Sequence, residues 1–495
     1  MSAWSRDGHV WISPDTGARW YPTIGLEVHA QLSTRTKIFC ACEVSFGAPP
    51  NSRTCPVCTG QPGALPVLNR GVLDLAVRAA LAFNCDIAPM THFDRKHYFY
   101  CDLPKNFQTS QYDHPFCSGG GVELSSGAFI RLNRIHMEED AGKTQHSSAG
   151  SLVDLNRTGV PLIESVTEAD LHSADDAHEY LTRFREVLQF SGVSSADMEK
   201  GELRCDVNIS VAPEGEAGLR TKVEMKNLNS FRNVHASLEY EIPRQILAYE
   251  RDGRDAIVQE TRLYDPDKEE TRTMRIKEGE NDYRYFPCPD LSRITLSEEL
   301  IAGQRALLPE LPSARRARYQ AELKLSEYDA GVLTGSRSTA DYFEAAASLS
   351  GEPKAAANWV SNELLSAVGS GENSANSLSE LSLQPNDLAD IIAKQAAGEL
   401  HSKAARELVA ECLRTGAGVT ETIQALGLDE QVDEADLESW CREALVANPR
   451  VIEEVRAGKD KALGACIGPV MKASGGRADP RRITEVLKAL IACEA

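Results

Sequence analysis

No stretch of about eighteen uncharged apolar residues occurs in this chain, so nothing in it is long and greasy enough to read as a membrane span. The first residues, MSAWSRDGHVWISPDTG, lack the apolar segment of a secretory signal and carry acid too early for an organellar transit peptide. Positive charge is in short supply. With 53 basic against 73 acidic residues the net charge is −20, which excludes nonspecific coating of DNA but leaves room for a local basic patch that grips nucleic acid. Nucleotide signatures are missing too. AGKT (Ala141 to Thr144) resembles the end of a phosphate-binding loop, but its leading glycine would fall at Met137. The run Gly119 to Gly121 lacks the later glycine of a dinucleotide fingerprint and reads as a turn. There is no G-x-S-x-G elbow and no Gly/Ser-rich amidase stretch with paired serines and a lysine. An odd cysteine count, thirteen, points to reduced thiols or metal ligands rather than disulfides, and a cytoplasmic protein is expected.

What is present divides near residue 290. Apolar residues at 42% and charged residues at 25% are globular values, and 495 residues are too many for one core. Before DYRYFPCPD (Asp282 to Asp290) the sequence shows strand alternation broken by Gly, Pro and Asn; after it come Ala, Leu and Glu at helical spacing. GSGENSANS, from Gly369, reads as a long loop between helical units. The expected fold class is α+β: a mixed body, then about 200 residues of helices.

Three strands of the body share one habit. In TIGLEVHAQL, Ile24, Leu26, Val28, Ala30 and Leu32 alternate with Glu27, His29 and Gln31. LRCDVNISV sets Leu203, Cys205, Val207, Ile209 and Val211 against Arg204, Asp206, Asn208 and Ser210, and TKVEMK sets Val223 and Met225 against Lys222, Glu224 and Lys226. Such alternation predicts an antiparallel sheet with one face on a core and one open. SADDAHEYLTRFREVLQFSG predicts a covering helix, capped by Ser173, striped by Tyr180, Leu181, Phe184 and Leu188, and ended by Gly192. RIHMEEDAGK adds His136, Glu138, Glu139 and Asp140 at a strand end. Solvated surface is the ordinary fate of polar strand faces. Carboxylates that recur beside His and Asn instead suit a hard divalent ion working on phosphates, because clustered carboxylates repel unless a cation or a proton intervenes. Glu27, His29, Glu138, Glu139, Asp206 and Glu224 form the expected metal-and-phosphate shell.

The sharpest local signal is FCACEVSFGAPPNSRTCPVC. Cys40 and Cys42, then Cys55 and Cys58, make two thiolate pairs within nineteen positions, the pattern of a closed tetrahedral zinc site that holds a loop rather than doing chemistry.

These residues sit in a longer resemblance. IGLEVHAQL, NSRTCPVCTGQPGALPVLN, FDRKHYFYCDLPKNFQTSQYD, HMEEDAGK, SLVDLNRTGVPLIE, LRCDVNIS, EMKNLNSF, DYRYFPCPD and the terminal AGKDKALGACIGPVMKASGGRADPRRITEVL resemble the B-subunit (GatB) family of aspartyl/glutamyl-tRNA amidotransferases. The likeness runs from about Tyr21 to the C-terminus, loosely around residues 365–445. It implies a glutamine synthetase-like cradle over 21–291 after an extension at 1–20, a helical domain over 292–425 and a tRNA-binding tail over 426–495.

The resemblance also implies a reaction. Family members use ATP to phosphorylate the side-chain carboxylate of Glu-tRNA(Gln) or Asp-tRNA(Asn), and ammonia displaces the phosphate. An amidase-type A subunit releases that ammonia from glutamine, and a small C subunit joins the two. By resemblance, magnesium would be held by Glu27, His29, Glu138, Asp206 and Glu224 with Glu139 nearby. Arg95, Lys96, Lys105, Arg204, Lys222 and Lys226 would meet phosphate or carboxylate, and structural zinc would sit on the four cysteines. Lys459, Lys461, Lys472, Arg477, Arg481 and Arg482 would meet tRNA: residues 371–446 carry five basic and fifteen acidic side chains, residues 447–495 nine and six. Two other readings remain open: a free-standing amide ligase acting on a small carboxylate, and a tRNA-binding scaffold without catalysis.

Overall fold

The computed structural model describes residues 4–148, 150–276, 283–368, 377–428, 433–457, 459–474 and 478–493. The chain forms two compact units, Met1–Pro312 and Ser313–Ala495.

The first unit is organised by a twelve-stranded sheet. Its strands include β1 (Arg19–Gln31), β4 (Phe129–Glu139), β5 (Pro161–Thr167), β6 (Leu203–Pro213), β7 (Val223–Lys226), β8 (Glu260–Asp265) and β9 (Glu270–Ile276). Beside them β2 (Asp94–His97) and β3 (Phe107–Ser110) belong to a small separate sheet. Along the large sheet the order is β9-β8-β7-β6-β1-β5-β4, followed by the short strands Cys117–Ser118 and Asp86–Ile87. Neighbours are antiparallel except β7 and β8. That pair is parallel because a helix, Phe231–Asp252, carries the chain back between them, the connection parallel neighbours require.

Helices α1 (Arg70–Ala82), α2 (Ala174–Phe190) and α3 (Phe231–Asp252) accompany the sheet. Alternate residues of β1 (Ile24, Leu26, Val28, Ala30) share one core with Val207 and Ile209 of β6, Val223 and Met225 of β7, the α2 stripe Tyr180, Leu181, Phe184 and Leu188, and Val234, Leu238, Ile242 and Ile246 of α3. Each such large side chain, fully removed from water, contributes about 1.5–3 kcal/mol. Ser173 caps α2 by accepting from the Asp176 amide at 3.0 Å, and Gly192 just beyond its end takes φ +67°.

Two features extend this unit past the limits read from sequence. Residues 4–20 join the sheet: Val10–Ile12 pairs with the start of β1, Trp11 opposite Trp20, and Glu250 of α3 accepts from Ser13, Thr16 and Trp20 at 2.6–3.2 Å. At the other end α4 (Glu298–Leu307) puts Leu300 into the same core, and Arg78 of α1 donates to Gln304 at 2.8 and 3.1 Å. The unit therefore ends at Pro312, beyond the change of composition near residue 290, because α4 is helical in sequence but buries its apolar side with the sheet.

The described elements of the second unit are helical and form two apolar cores, one from Tyr319 to Val419 and one from Leu437 to Ile491. The latter belongs to α5 (Glu434–Ala447), α6 (Gly464–Ala473), α7 (Pro480–Cys493) and the short helices between α5 and α6. Residues 369–376, expected to be a loop, lie outside the described residues. No described helix is long and apolar enough to cross a membrane.

Candidate active site

The face of the sheet turned away from the helices is set by strand parity. Side chains two apart share a face, so Glu27 and His29, Arg204, Asp206 and Asn208, Glu224 and Lys226, and His136 and Glu138 all emerge on one side. Register then aligns them. His136 lies opposite Glu164, Glu164 opposite His29 and His29 opposite Arg204, a row across β4, β5, β1 and β6. Asp206 lies opposite Glu27, and Asn208 opposite Glu224. Apart from Asn208, these side chains line a cleft of about 770 Å³ together with Lys96, Tyr98, Tyr112, Lys222, Tyr283 and Tyr285.

Two trios in the cleft can each hold a cation: His29, Glu138 and Glu164, and Glu27, Asp206 and Glu224, the ligating atoms of each trio lying within 4.8 Å of one another. In the first, His29 Nε2 stands 3.2 Å from Glu164 Oε2 and 3.4 Å from Glu138 Oε1, and His136 Nε2 is 3.3 Å from Glu164 Oε2. Burial drives the Glu138 carboxyl above its usual range. Burial also opposes charge on His29, but the Glu164 and Glu138 carboxylates outweigh it and lift the imidazole to about 9. Glu164, despite burial, is held well below the carboxylate range by His136 and His29. In the second trio the Lys226 ammonium bonds Asp206 and lies 3.7 Å from Glu224; burial opposes its charge, but those carboxylates keep it protonated. Asn208 donates to Glu27 at 2.9 Å, and Thr261 to Glu224 at 2.7 Å. Oxygen donors with one imidazole suit a hard divalent ion.

Glu164 was not among the residues expected from sequence. It belongs to PLIESVT in β5, where six of seven residues are buried and both parities carry apolar side chains, so no alternation marks it. Only the register beside His29 and His136 reveals it.

Three expected site residues do not reach the cleft. Glu139 follows Glu138 and so faces the other way: its carboxylate bonds the Lys105 ammonium and accepts from the Thr109 amide at 2.8 Å. Arg95, next to Lys96 on β2, pairs with Asp290 at 2.5 Å and lies 4.1 Å over the Phe107 ring. Glu139, Lys105 and Arg95 line a separate cavity of about 160 Å³ beside Cys40 and Cys58. For Glu139 and Arg95 the correction is one of parity, since neighbours on a strand cannot share a face, whereas Lys105 precedes β3 and is drawn to Glu139. Lys96, Arg204, Lys222 and Lys226 do line the cleft. Arg204 is held by Asp140, to which Arg157 also comes within 3.3 Å.

The four cysteines converge, their sulfurs within 4.8 Å of one another. Backbone bonds fix the loop at its root: Lys37 N to Cys42 O at 3.0 Å, Ile38 N to Gly159 O at 2.9 Å and Val67 N to Phe39 O at 3.1 Å. The Cys58 thiol is drawn down to about 5, chiefly by a hydrogen bond from Cys40 that outweighs burial, helped by the Cys55 amide and the charge of Lys37. Four converging sulfurs, one already disposed to ionise, fit a tetrahedral thiolate metal site.

A larger concavity of about 1020 Å³ lies between the hairpin Lys143–Ser147/Gly150–Asp154, the cysteine loop and residues 195–202, and it contains neither trio. In the second unit Lys459, Lys461, Lys472 and Arg481 are exposed without ion-pair partners among the described residues, whereas Arg482 bonds Glu434 and Glu485. Arg477 lies outside the described residues.

The chain is similar to known proteins along most of its length. The GatB/GatE catalytic domain family matches residues 22–302, and the GatB domain family matches residues 341–491. The chain is 46% identical to the B-subunit of the aspartyl/glutamyl-tRNA(Asn/Gln) amidotransferase of Persephonella marina over 474 residues, 95% of this chain and 99% of that protein. It is 47% identical to the B-subunit from Thermosynechococcus vestitus, covering 94% of this chain and 95% of that one, and 47% identical to the one from Geotalea daltonii, covering 94% and 98%.

Proposed function

The chain belongs to the B-subunit family of the aspartyl/glutamyl-tRNA(Asn/Gln) amidotransferases, and from that premise we propose that its cleft activates the side-chain carboxylate of a tRNA mischarged with glutamate or aspartate. A carboxylate oxygen attacks the γ-phosphorus of ATP and ADP leaves; ammonia then adds to the acyl carbon, and inorganic phosphate leaves with the carboxylate oxygen. The products are Gln-tRNA(Gln) or Asn-tRNA(Asn). The observation that carries this reading is the pairing of two ligating trios on one open sheet face, ringed by Lys96, Arg204, Lys222 and Lys226.

Magnesium held by the trios would neutralise and align the phosphates. The protein's own groups do the rest. Arg204, braced by Asp140, offers a fixed positive fork at the edge of the first trio, suited to a phosphoryl oxygen. Lys226, bonded to Asp206, keeps charge near the second trio, and the Lys96 ammonium, 4.9 Å over the Tyr283 ring, brings charge from the cleft's other wall. Ammonia would come from an amidase-type A subunit, with a small C subunit completing the complex, in keeping with the missing amidase signature. The basic side chains of the last 49 residues would meet tRNA.

The test is ATP hydrolysis by the complex with ammonium chloride as nitrogen donor. Hydrolysis that requires mischarged tRNA supports the proposal. Stimulation by free glutamate alone would indicate a small-molecule ligase, and no hydrolysis with any substrate a scaffold.

Zinc on Cys40, Cys42, Cys55 and Cys58 would be structural, because four protein ligands leave no position for substrate. Cys55→Ser is expected to release the metal and expose the segment from Phe39 to Pro66 to proteolysis, since binding of the metal is part of folding that loop. Catalysis should fall only through that loosening. Reduced wild-type protein without zinc by elemental analysis would contradict this assignment.

A further inference from the structure

Lys37 is among the largest fully buried side chains of the molecule, with 0% of its surface exposed. A buried ammonium needs an anion, because taking an isolated charge out of water costs more than any single neutral hydrogen bond returns. Its one hydrogen bond among the described residues is long, 3.4 Å to the Leu155 carbonyl, and no carboxylate there lies within 4.0 Å of its nitrogen. The nearby acid, Glu139, gives its Oε1 to Lys105 and the Thr109 amide, and its Oε2 makes no ion pair with Lys37 within 4.0 Å among the described residues.

What Lys37 adjoins is the cysteine site. Gly159, at φ +80°, brings the two together: a Cβ built on it would sit 3.6 Å from both Cys58 Cβ and Lys37 Cδ, with Glu139 Oε2 at 3.9 Å. Lys37 also lies on the loop's root, its amide bonded to Cys42 O. A divalent ion on four thiolates carries about two surplus negative charges. That surplus is the anion the ammonium lacks.

We propose that Lys37 is the built-in counter-charge of the four-cysteine metal site, a positioning residue whose charge offsets the surplus of four sulfurs around a divalent soft-ligand metal. The inference rests on the zinc reading above. Outer-sphere partners of this kind commonly govern about 10–100-fold in metal affinity.

The experiment uses the full-length chain in its complex, stripped of metal and reloaded with cobalt, whose thiolate charge-transfer band reports four-sulfur ligation. Competition with a chelator then gives the affinity. Lys37→Met is expected to bind cobalt and zinc about tenfold or more weaker than wild type, and Lys37→Arg, which restores the charge, within about threefold of it. If Lys37 instead answers Glu139 or merely fills space, Lys37→Met will bind metal as tightly as wild type, which overturns the proposal. Wild-type protein that takes up no cobalt in the four-sulfur form would overturn the zinc reading itself. Should Lys37→Met not fold, Lys37→Gln in excess zinc repeats the test. Failure of both neutral variants to fold even in excess zinc overturns the proposal in favour of a structural role for Lys37.

Discussion

Replacing Glu224 with glutamine is expected to lower mischarged-tRNA-dependent ATP hydrolysis about a hundredfold or more, with a melting temperature within about 2 °C of wild type. The two parts of this expectation have separate causes. Glu224 is buried, and its Oε2 accepts from Thr261, itself fully buried, at 2.7 Å. A glutamine oxygen can keep that bond, so the sheet keeps its satisfied polar pair. The charge is lost, however, and with it one ligand of the trio shared with Glu27 and Asp206. Alanine would confound the experiment. It would strip the Thr261 hydroxyl of this acceptor at a cost of about 1–3 kcal/mol and depress stability together with activity. Wild-type turnover in the Glu224→Gln complex would remove Glu224 from the reacting site.

Ending the chain at Leu428 is expected to weaken tRNA binding about tenfold or more at moderate salt and to flatten its salt dependence, while kcat changes little and KM for tRNA rises. The cut is chosen from the cores. A chain ending at Val446 would retain α5 and leave Leu437, Cys441, Ala444 and Leu445 without the Val470, Ile483 and Leu487 they share a core with, whereas Leu428 precedes that whole cluster. The removed segment carries Lys459, Lys461, Lys472 and Arg481, exposed and unpaired among the described residues. Each phosphate no longer neutralised should lower the salt slope by somewhat under one unit. A fourfold replacement of these side chains by glutamine separates charge from shape, and should reproduce the shallower slope with the core intact. Arg482 is left out because Glu434 and Glu485 already engage it. Unchanged tRNA affinity from low to moderate salt in both variants would reduce the tail to ordinary surface.

How far the sequence revealed the site follows from what strands do locally and what they do at long range. Parity is local. The alternation runs through β1 and through β6 as far as Ile209, so Glu27 with His29, and Arg204 with Asp206, were readable as sharing a side. Register is not local. That Asp206 meets Glu27 and that Glu164 stands between His29 and His136 depends on strands more than a hundred residues apart in some pairs, and nothing in PLIESVT announces it. Parity also divides Arg95 from Lys96, and Glu138 from Glu139: these are adjacent strand residues, and only one of each pair lines the cleft. The cysteine loop was legible because its chemistry is written in spacing. The reach of the first unit to Pro312 was not, since α4 has an ordinary amphipathic sequence and only its packing places Leu300 in the sheet's core.

The most direct measurement follows one oxygen atom. Mischarged tRNA bearing an ¹⁸O-labelled side-chain carboxylate is incubated with the complex, ATP and ammonium chloride, and the inorganic phosphate is analysed by mass spectrometry. If the cleft makes an acyl phosphate, each phosphate released on amide formation carries one labelled oxygen. Phosphate free of label, formed alongside the amide, would contradict the account.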